Sequence, residues 1–176
     1  MREELKAIYD ENIQWLNFAE LKNGALLTMM LALLGIITQI EMSIYITTFF
    51  AVFSIVIACI CILSFVPFSN RLKFLSNYIK EEYAKKNTGS LNSKNIIFYV
   101  EIFVDGKDRY KEALIKVLNQ NSNYPFSLLE ENYIEQILQI STIASIKYYL
   151  FKKAVMFLMI MLMIAFACAI GCLIVA

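Results

Sequence analysis

Histidine is absent from this 176-residue chain, proline occurs twice and glycine five times. Without an imidazole, the commonest general acid–base group and metal ligand is gone. No glycine-rich phosphate loop and no nucleophile-elbow pattern replaces it, which excludes the familiar phosphate-cradling and acyl-transfer sites. The carboxylate pairs Glu81 with Glu82, Asp105 with Asp108 and Glu130 with Glu131 stand beside lysines or in expected turns, a poor setting for proton transfer. Cys59, Cys61, Cys168 and Cys172 all fall in apolar sequence. Cys168 and Cys172 share a helix face, but with no second ligand pair they are read as small packing residues. The chain is expected to bind rather than catalyse, with no cofactor and no metal ion.

Charge is missing from three long stretches. Asn23–Ile40 holds 18 uncharged residues, Met42–Asn70 holds 29 and Ala154–Ala176 holds 23, with Glu41 the only charge between the first two. As a helix the first rises about 27 Å, just short of the ~30 Å hydrocarbon core, and the other two exceed it. A soluble domain of this size could not cover three helices that are apolar all round. Hydrophobic residues make up 59% of the chain and charged residues 18%, which fits an integral membrane protein. The expected fold is all-α with three transmembrane helices. Its plan is a cytoplasmic N-terminal helix over 1–22, a two-span hairpin over 23–67, a helical cytoplasmic ligand-binding domain over 68–153 and a third span over 154–176. The charge-rich first 22 residues, with no small-residue cleavage site after them, argue against a secretory signal peptide.

Basic residues are absent from the spans and from the Gln39–Ser43 turn. The positive-inside rule then places the amino terminus and the middle segment in the cytoplasm, and the turn and carboxyl terminus outside. Ser69–Lys153 carries 13 basic against 9 acidic residues, a net +4, while residues 1–22 carry 3 against 5. No ionisable group stands at mid-depth, which disfavours proton-coupled transport. The hydroxyls of Thr28, Thr38, Thr47, Thr48, Ser54 and Ser64 either bond within their own helices or line a pore. Ala167 and Gly171, four apart, offer a close-packing face.

Between the runs, helical spacing dominates. Leu5, Ile8, Tyr9, Ile13, Leu16 and Ala19 recur at three and four, and only Gly24 interrupts between Trp15 and Leu27, so the first helix is expected to continue into its span. Trp15 serves either as an interfacial anchor or as a packing residue of the cytoplasmic domain. Arg71–Lys86 reads as a basic amphipathic helix on Leu72, Leu75, Ile79 and Tyr83, ahead of a Gly/Ser/Asn loop over Asn87–Lys94. Pro67 suggests where the second span stops. Asn95–Val104 has strand propensity but no partner strand, and is read as a short buried helix or an extended cover on the core. Asp108–Asn119 is helical, and Ser127–Lys153 is a long helix with a stripe of Leu128, Tyr133, Ile137, Ile140, Ala144, Tyr148 and Phe151, running into the third span.

A family resemblance enters through one stretch. Phe18-Ala19-Glu20-Leu21-Lys22-Asn23-Gly24-Ala25-Leu26-Leu27 resembles the Phe-Ala-Asp-x-Lys-Ala-Gly-x-Leu-Leu signature that leads into the first span of the bacterial Pycsar transmembrane effector family. Asn95-Ile96-Ile97-Phe98-Tyr99, then Tyr110-Lys111-Glu112-Ala113-Leu114, then Gln136, Ser141, Ile143, Lys147-Tyr148 and Ala154 follow in the same order, with Pro67 after the second span. Glu20 replaces the usual aspartate and Asn23 the usual alanine. The resemblance implies a membrane effector of an anti-phage system that impairs the bacterial inner membrane under a nucleotide signal made by a partner nucleotidyltransferase or cyclase. Related Hailong-type effectors are held closed by short deoxyadenylate oligomers and conduct ions when that brake is lost. The sign of control here stays open.

With that resemblance, the expected protein is a homo-oligomeric ion channel, a tetramer as the working number, contacting membrane lipids and gated by a cyclic nucleotide or short oligonucleotide. Lys22, Arg71, Lys73, Lys147, Lys152 and Lys153 are the candidate phosphate ligands, with Tyr148 among them, or else the cations are topology determinants in contact with lipid headgroups. Tyr78, Tyr83, Tyr148 and Tyr149 are core or interface aromatics or, for an oligonucleotide, candidate stacking platforms for bases. Glu20, Asn23, Gly24 and Thr28 are the candidate pore or gating residues. The competing expectation is a structural or accessory subunit that anchors a partner complex and needs neither ligand nor pore.

Overall fold

The computed structural model describes residues 1–39, 43–66, 73–86, 98–118 and 124–175, and every regular element among them is a helix. These are α1 (Arg2–Ile37), α2 (Ile44–Leu63), α3 (Lys73–Lys86), α4 (Tyr99–Val117) and α5 (Leu128–Val175). Three of them, α1, α2 and α5, are long and apolar enough to cross a membrane. The chain forms two compact units, Met1–Ala19 with Pro67–Lys147 and Glu20–Val66 with Tyr148–Ala176. Both α1 and α5 lend residues to each unit, and neither is interrupted, at Gly24 or at Lys153. No proline stands within either helix, so every interior amide keeps its i→i−4 acceptor.

In the first unit, Leu5 and Ile8 of α1 meet Ile102, Tyr110 and Leu114 of α4 and Ile134 and Ile137 of α5. At roughly 1.5–3 kcal/mol for each large apolar side chain taken out of water, this seam outweighs the fractional propensity differences within the helices. The expected stripe on α5 is corrected at its start: Leu128 is 80% exposed, and Ile134 takes the buried place. Leu128 is the first residue of the helix, ahead of the seam that begins with Ile134. One member of the seam is polar. Asn12 is fully buried; the Ser141 hydroxyl donates to its Oδ1 at 2.9 Å, and its Nδ2 donates to the Ile8 carbonyl at 2.9 Å. A buried carboxamide is costly wherever its partners are missing, so this bond favours one register of α1 on α5 within the unit.

Strand propensity at Asn95–Val104 yields to helix over its described part. Tyr99, Val100, Ile102 and Phe103 are buried on α4, while Asn95–Ile97 lie outside the described residues. Gly106 kinks α4 with φ 75° and ψ −178°, a backbone state open essentially to glycine alone. A Cβ there would meet only Lys80 Nζ at 3.6 Å, so backbone conformation rather than space demands the glycine.

α5 opens on a reciprocal cap. The Ser127 backbone N–H donates to Glu130 Oε2 at 2.9 Å, and the Glu130 N–H donates to Ser127 Oγ at 3.4 Å. Tyr124 OH adds a bond to Glu130 Oε1 at 3.1 Å. Two of the amides that a helix start leaves without acceptors are thereby satisfied.

In the second unit, Leu26 and Met30 of α1 pack with Ile57, Ala58 and Cys61 of α2 and Ala154 of α5. Lipid tails are as apolar as leucine, so packing there depends on close approach of small residues, and Ala58, Cys61 and Ala154 supply it. Ala167, expected on a packing face, is exposed. α2 ends at Leu63, four residues short of Pro67. There the Ser64 N–H and hydroxyl both reach the Cys61 carbonyl, at 3.0 and 2.7 Å, and the Phe65 N–H reaches Ile62 at 2.9 Å, tightening the last turn. Outward, Leu31, Ile36, Ile44, Val52, Met163 and Phe166 are each more than half exposed, a surface suited to lipid and not to water.

Gly106→Ala is expected to destabilise the first unit by about 1–3 kcal/mol through backbone strain. Gly35→Ala, in open space within α1, is expected to be neutral or mildly stabilising. Thermal unfolding of the two variants in one detergent separates these signs.

Candidate functional site

The residues singled out from the sequence divide between the two units. Lys147 belongs to the first, with Lys73 at the start of α3, whose side chain lies outside the described residues, as does all of Arg71. Lys22, Tyr148, Lys152 and Lys153 belong to the second. Within the second unit two lysines come to rest on aromatic rings. Lys22 Nζ lies 5.3 Å from the Tyr148 ring centroid and 5.7 Å from that of Phe151. Lys153 Nζ lies 5.1 Å from the Tyr149 centroid. A cation over a ring face is worth about 0.5–2 kcal/mol, enough to hold a long flexible side chain in one place. Lys152 is exposed.

Of the stacking candidates, Tyr149 is buried and a Tyr148 ring face is occupied by Lys22. Burial, and then the charge of Glu82, pushes the Tyr83 phenol above its ordinary value, while Tyr78 is half exposed. Aromatic surface that the sequence did not flag lies on α1. Trp15, Phe18, Glu11 and Gln14 line an open groove of about 370 Å³ in the first unit. Trp15 packs there against Phe98, edge-on with centroids 6.1 Å apart, and against Tyr99 at 5.7 Å. This settles its place as a packing residue of that unit. The i, i+3, i+4, i+7 spacing of the four residues was the signal that could have found the groove.

Among the proposed gating residues, Asn23 is fully buried and Glu20 and Gly24 are partly so. A Cβ on Gly24 would stand 3.8 Å from the Phe65 ring, an ordinary contact. The Thr28 hydroxyl donates to the Gly24 carbonyl at 3.0 Å, Thr38 to Gly35 at 2.8 Å and Thr47 to Ser43 at 3.3 Å. These hydroxyl protons are committed to their own helices. Ser54 is different: it is fully buried and its oxygen has no hydrogen-bond partner among the described residues.

Two other cations of the first unit, Lys107 and Lys111, are already paired. Lys107 bridges Glu135 at 2.6 Å and Glu131 at 3.3 Å, and Lys111 also pairs with Glu131. The hydrogen bond from Lys111, ahead of the one from Lys107, holds the Glu131 carboxyl below its usual range. At Glu130 burial pushes upward, but the bonds from Ser127 and Tyr124 outweigh it and the carboxyl is also lowered. With their charges matched by glutamates, Lys107 and Lys111 are poor candidates for an anionic ligand.

Comparison with known proteins places one family on the chain. The family model described as Pycsar effector protein domain matches residues 4–175. No curated protein and no solved structure matches significantly.

The depressed carboxyls set a pH dependence. A group whose folded pKa lies below its unfolded value stabilises the fold above the unfolded pKa and loses that contribution as pH falls through the folded one. The first unit is therefore expected to lose thermal stability as pH drops below about 4, the ordinary carboxylate range. Glu131→Gln, with its part of that dependence removed, is expected to show a shallower profile by circular dichroism in detergent.

Proposed function

Because this chain belongs to the Pycsar effector family, the transmembrane effectors of anti-phage defence, we propose that it works as an oligomeric pore in the bacterial inner membrane under nucleotide or oligonucleotide control. Its opening dissipates ion gradients and arrests or kills the infected cell. The first unit, with the amino terminus, faces the cytoplasm, where a partner cyclase or nucleotidyltransferase makes the signal, and the carboxyl terminus faces outward. Three spans are too few to enclose a wide aqueous path, so the conducting form is a homo-oligomer.

One observation carries this proposal: α1 and α5 are each a single unbroken helix, and each is buried both in the seam of the first unit and among the spans of the second. A ligand that prefers one packing of the first unit therefore acts on helices that are also membrane walls. Driving such a switch from 1:99 to 99:1 takes about 5.5 kcal/mol of differential affinity, within reach of a few charge-assisted phosphate bonds and a stacked base. Arg71, Lys73 and Lys147 are the cations of the first unit assigned to the phosphates, and the Trp15–Phe18 groove is assigned to a base.

Purified protein in a planar bilayer is expected to carry a current that added cyclic mononucleotides or short oligonucleotides change, in either direction. Silence under every nucleotide class would leave only the anchoring subunit. Trp15→Ala is expected to shift the half-effective nucleotide concentration upward about tenfold, from the ~1–3 kcal/mol of base stacking.

A further inference from the structure

We propose that α1 and α5 have two stable registers in the first unit, one helical turn apart, and that the Asn12 side chain passes between them from Ser141 to Ser145. The proposal deepens the reading of a ligand-controlled switch by naming what moves. It rests on that reading only for its link to the current.

Ser145 is the first ground. It is fully buried, and its oxygen has no hydrogen-bond partner among the described residues. A hydroxyl on a helix commonly turns back on the carbonyl one turn below, as Thr142 does on Leu138 at 2.7 Å. Ser145 lacks even that bond, and a buried polar group in this condition calls for a physical reason.

Position is the second. Ser145 lies four residues beyond Ser141 on α5, so it stands on the same face, one turn further along. Ser141 is where that face meets Asn12 of α1, 129 positions away in the chain. The same separation of 129 relates Leu5 to Ile134 and Ile8 to Ile137, all four in one core, so the two helices ascend side by side. At this offset Leu16 falls level with Ser145, and an aliphatic side chain offers a hydroxyl nothing. With α1 advanced by one turn, about 5.4 Å, Asn12 falls level with Ser145, Ile8 with Ser141 and Leu5 with Leu138.

The third ground is balance. In the first register Ser141 donates to Asn12 and Ser145 is set against Leu16; in the second Ser145 donates to Asn12 and Ser141 is set against Ile8. Each register has one hydroxyl bonded to the carboxamide and one serine opposite an aliphatic residue. Leu5 keeps an apolar neighbour in both, and the bond from Asn12 to the Ile8 carbonyl lies within α1 and travels with it. Two such packings lie close in free energy, which is the condition for a switch that a ligand can tip. A step of one turn between packed elements is a known form of that switch. Because α1 is a single helix from Arg2 to Ile37, an advance of its first half is an advance of its whole length.

A double-mutant cycle on the full chain in detergent, read as the thermal midpoint by circular dichroism, tests the two registers. In the wild-type background Ser145→Ala removes an unpaired hydroxyl and is expected to leave the midpoint unchanged or raise it. In the Ser141→Ala background Asn12 has moved to Ser145, and the same Ser145→Ala is expected to lower the midpoint by about 4–8 °C. A single register gives Ser145→Ala the same effect in both backgrounds, and that result overturns the proposal. Should Ser141→Ala fail to fold, Ser141→Cys, whose thiol is only a weak donor, takes its place in the cycle. In planar bilayers Ser141→Ala and Ser145→Ala are expected to move the half-effective nucleotide concentration in opposite directions; shifts in one direction overturn the register as the gating step. Loss of all nucleotide-dependent current removes the pore reading while the midpoint cycle still decides the registers, and a normal current without the change of sign removes the registers alone.

Discussion

A peptide group in hydrocarbon has no water to bond to, and this constraint shapes the whole chain. Each amide that enters lipid must bring its acceptor with it, so the segments that cross must be helices with no break. α1 and α5 satisfy this by beginning well before their apolar runs and continuing through them. α5 is capped at Ser127 and Glu130, well ahead of its apolar run, and enters that run as an established helix. The two ends of the chain thus serve two solvents with one backbone conformation, and only the side chains change character along the way.

That change of character also separates two kinds of packing. In the first unit, leucine, isoleucine and a buried tyrosine draw together because water is excluded. In the second, the buried positions of α2 are Ser54, Ile57, Ala58 and Cys61, three of them small, while Ile44, Tyr45, Val52, Ile55, Ile62 and Leu63 are each more than half exposed. Close approach replaces hydrophobic drive where the surroundings are themselves oily. The uncharged runs made this division legible in the sequence, because run length and charge placement report directly on the solvent each segment meets.

Other features were not legible, for reasons that differ. Asn12 reads as a polar residue on a helix face and would be assigned to solvent; its burial depends on Ser141, 129 positions away, which no local pattern reveals. Leu128 reads as the first member of the α5 stripe, yet the start of a helix extends past what it packs on. Gly106 falls between the segments read as Asn95–Val104 and Asp108–Asn119, so a break there was legible, but its positive φ follows from how α4 bends, a tertiary property. The Ser127-x-x-Glu130 spacing, by contrast, was present to be read as a cap, and so was the α1 face of Glu11, Gln14, Trp15 and Phe18. Nothing in spacing alone could show that Lys22 would fold onto rings contributed by the far end of the chain.

Trp15 has one more consequence. It is the only indole in a chain with ten tyrosines, and it lies in the first unit, in contact with Phe98 and Tyr99 of that same unit. Excited at the red edge of the absorption band, where phenols are dark, the protein therefore emits from a single location outside the spans. The molecule carries its own lamp, and the colour of that light follows the wetting of one groove while the lipid-facing surface stays unlit.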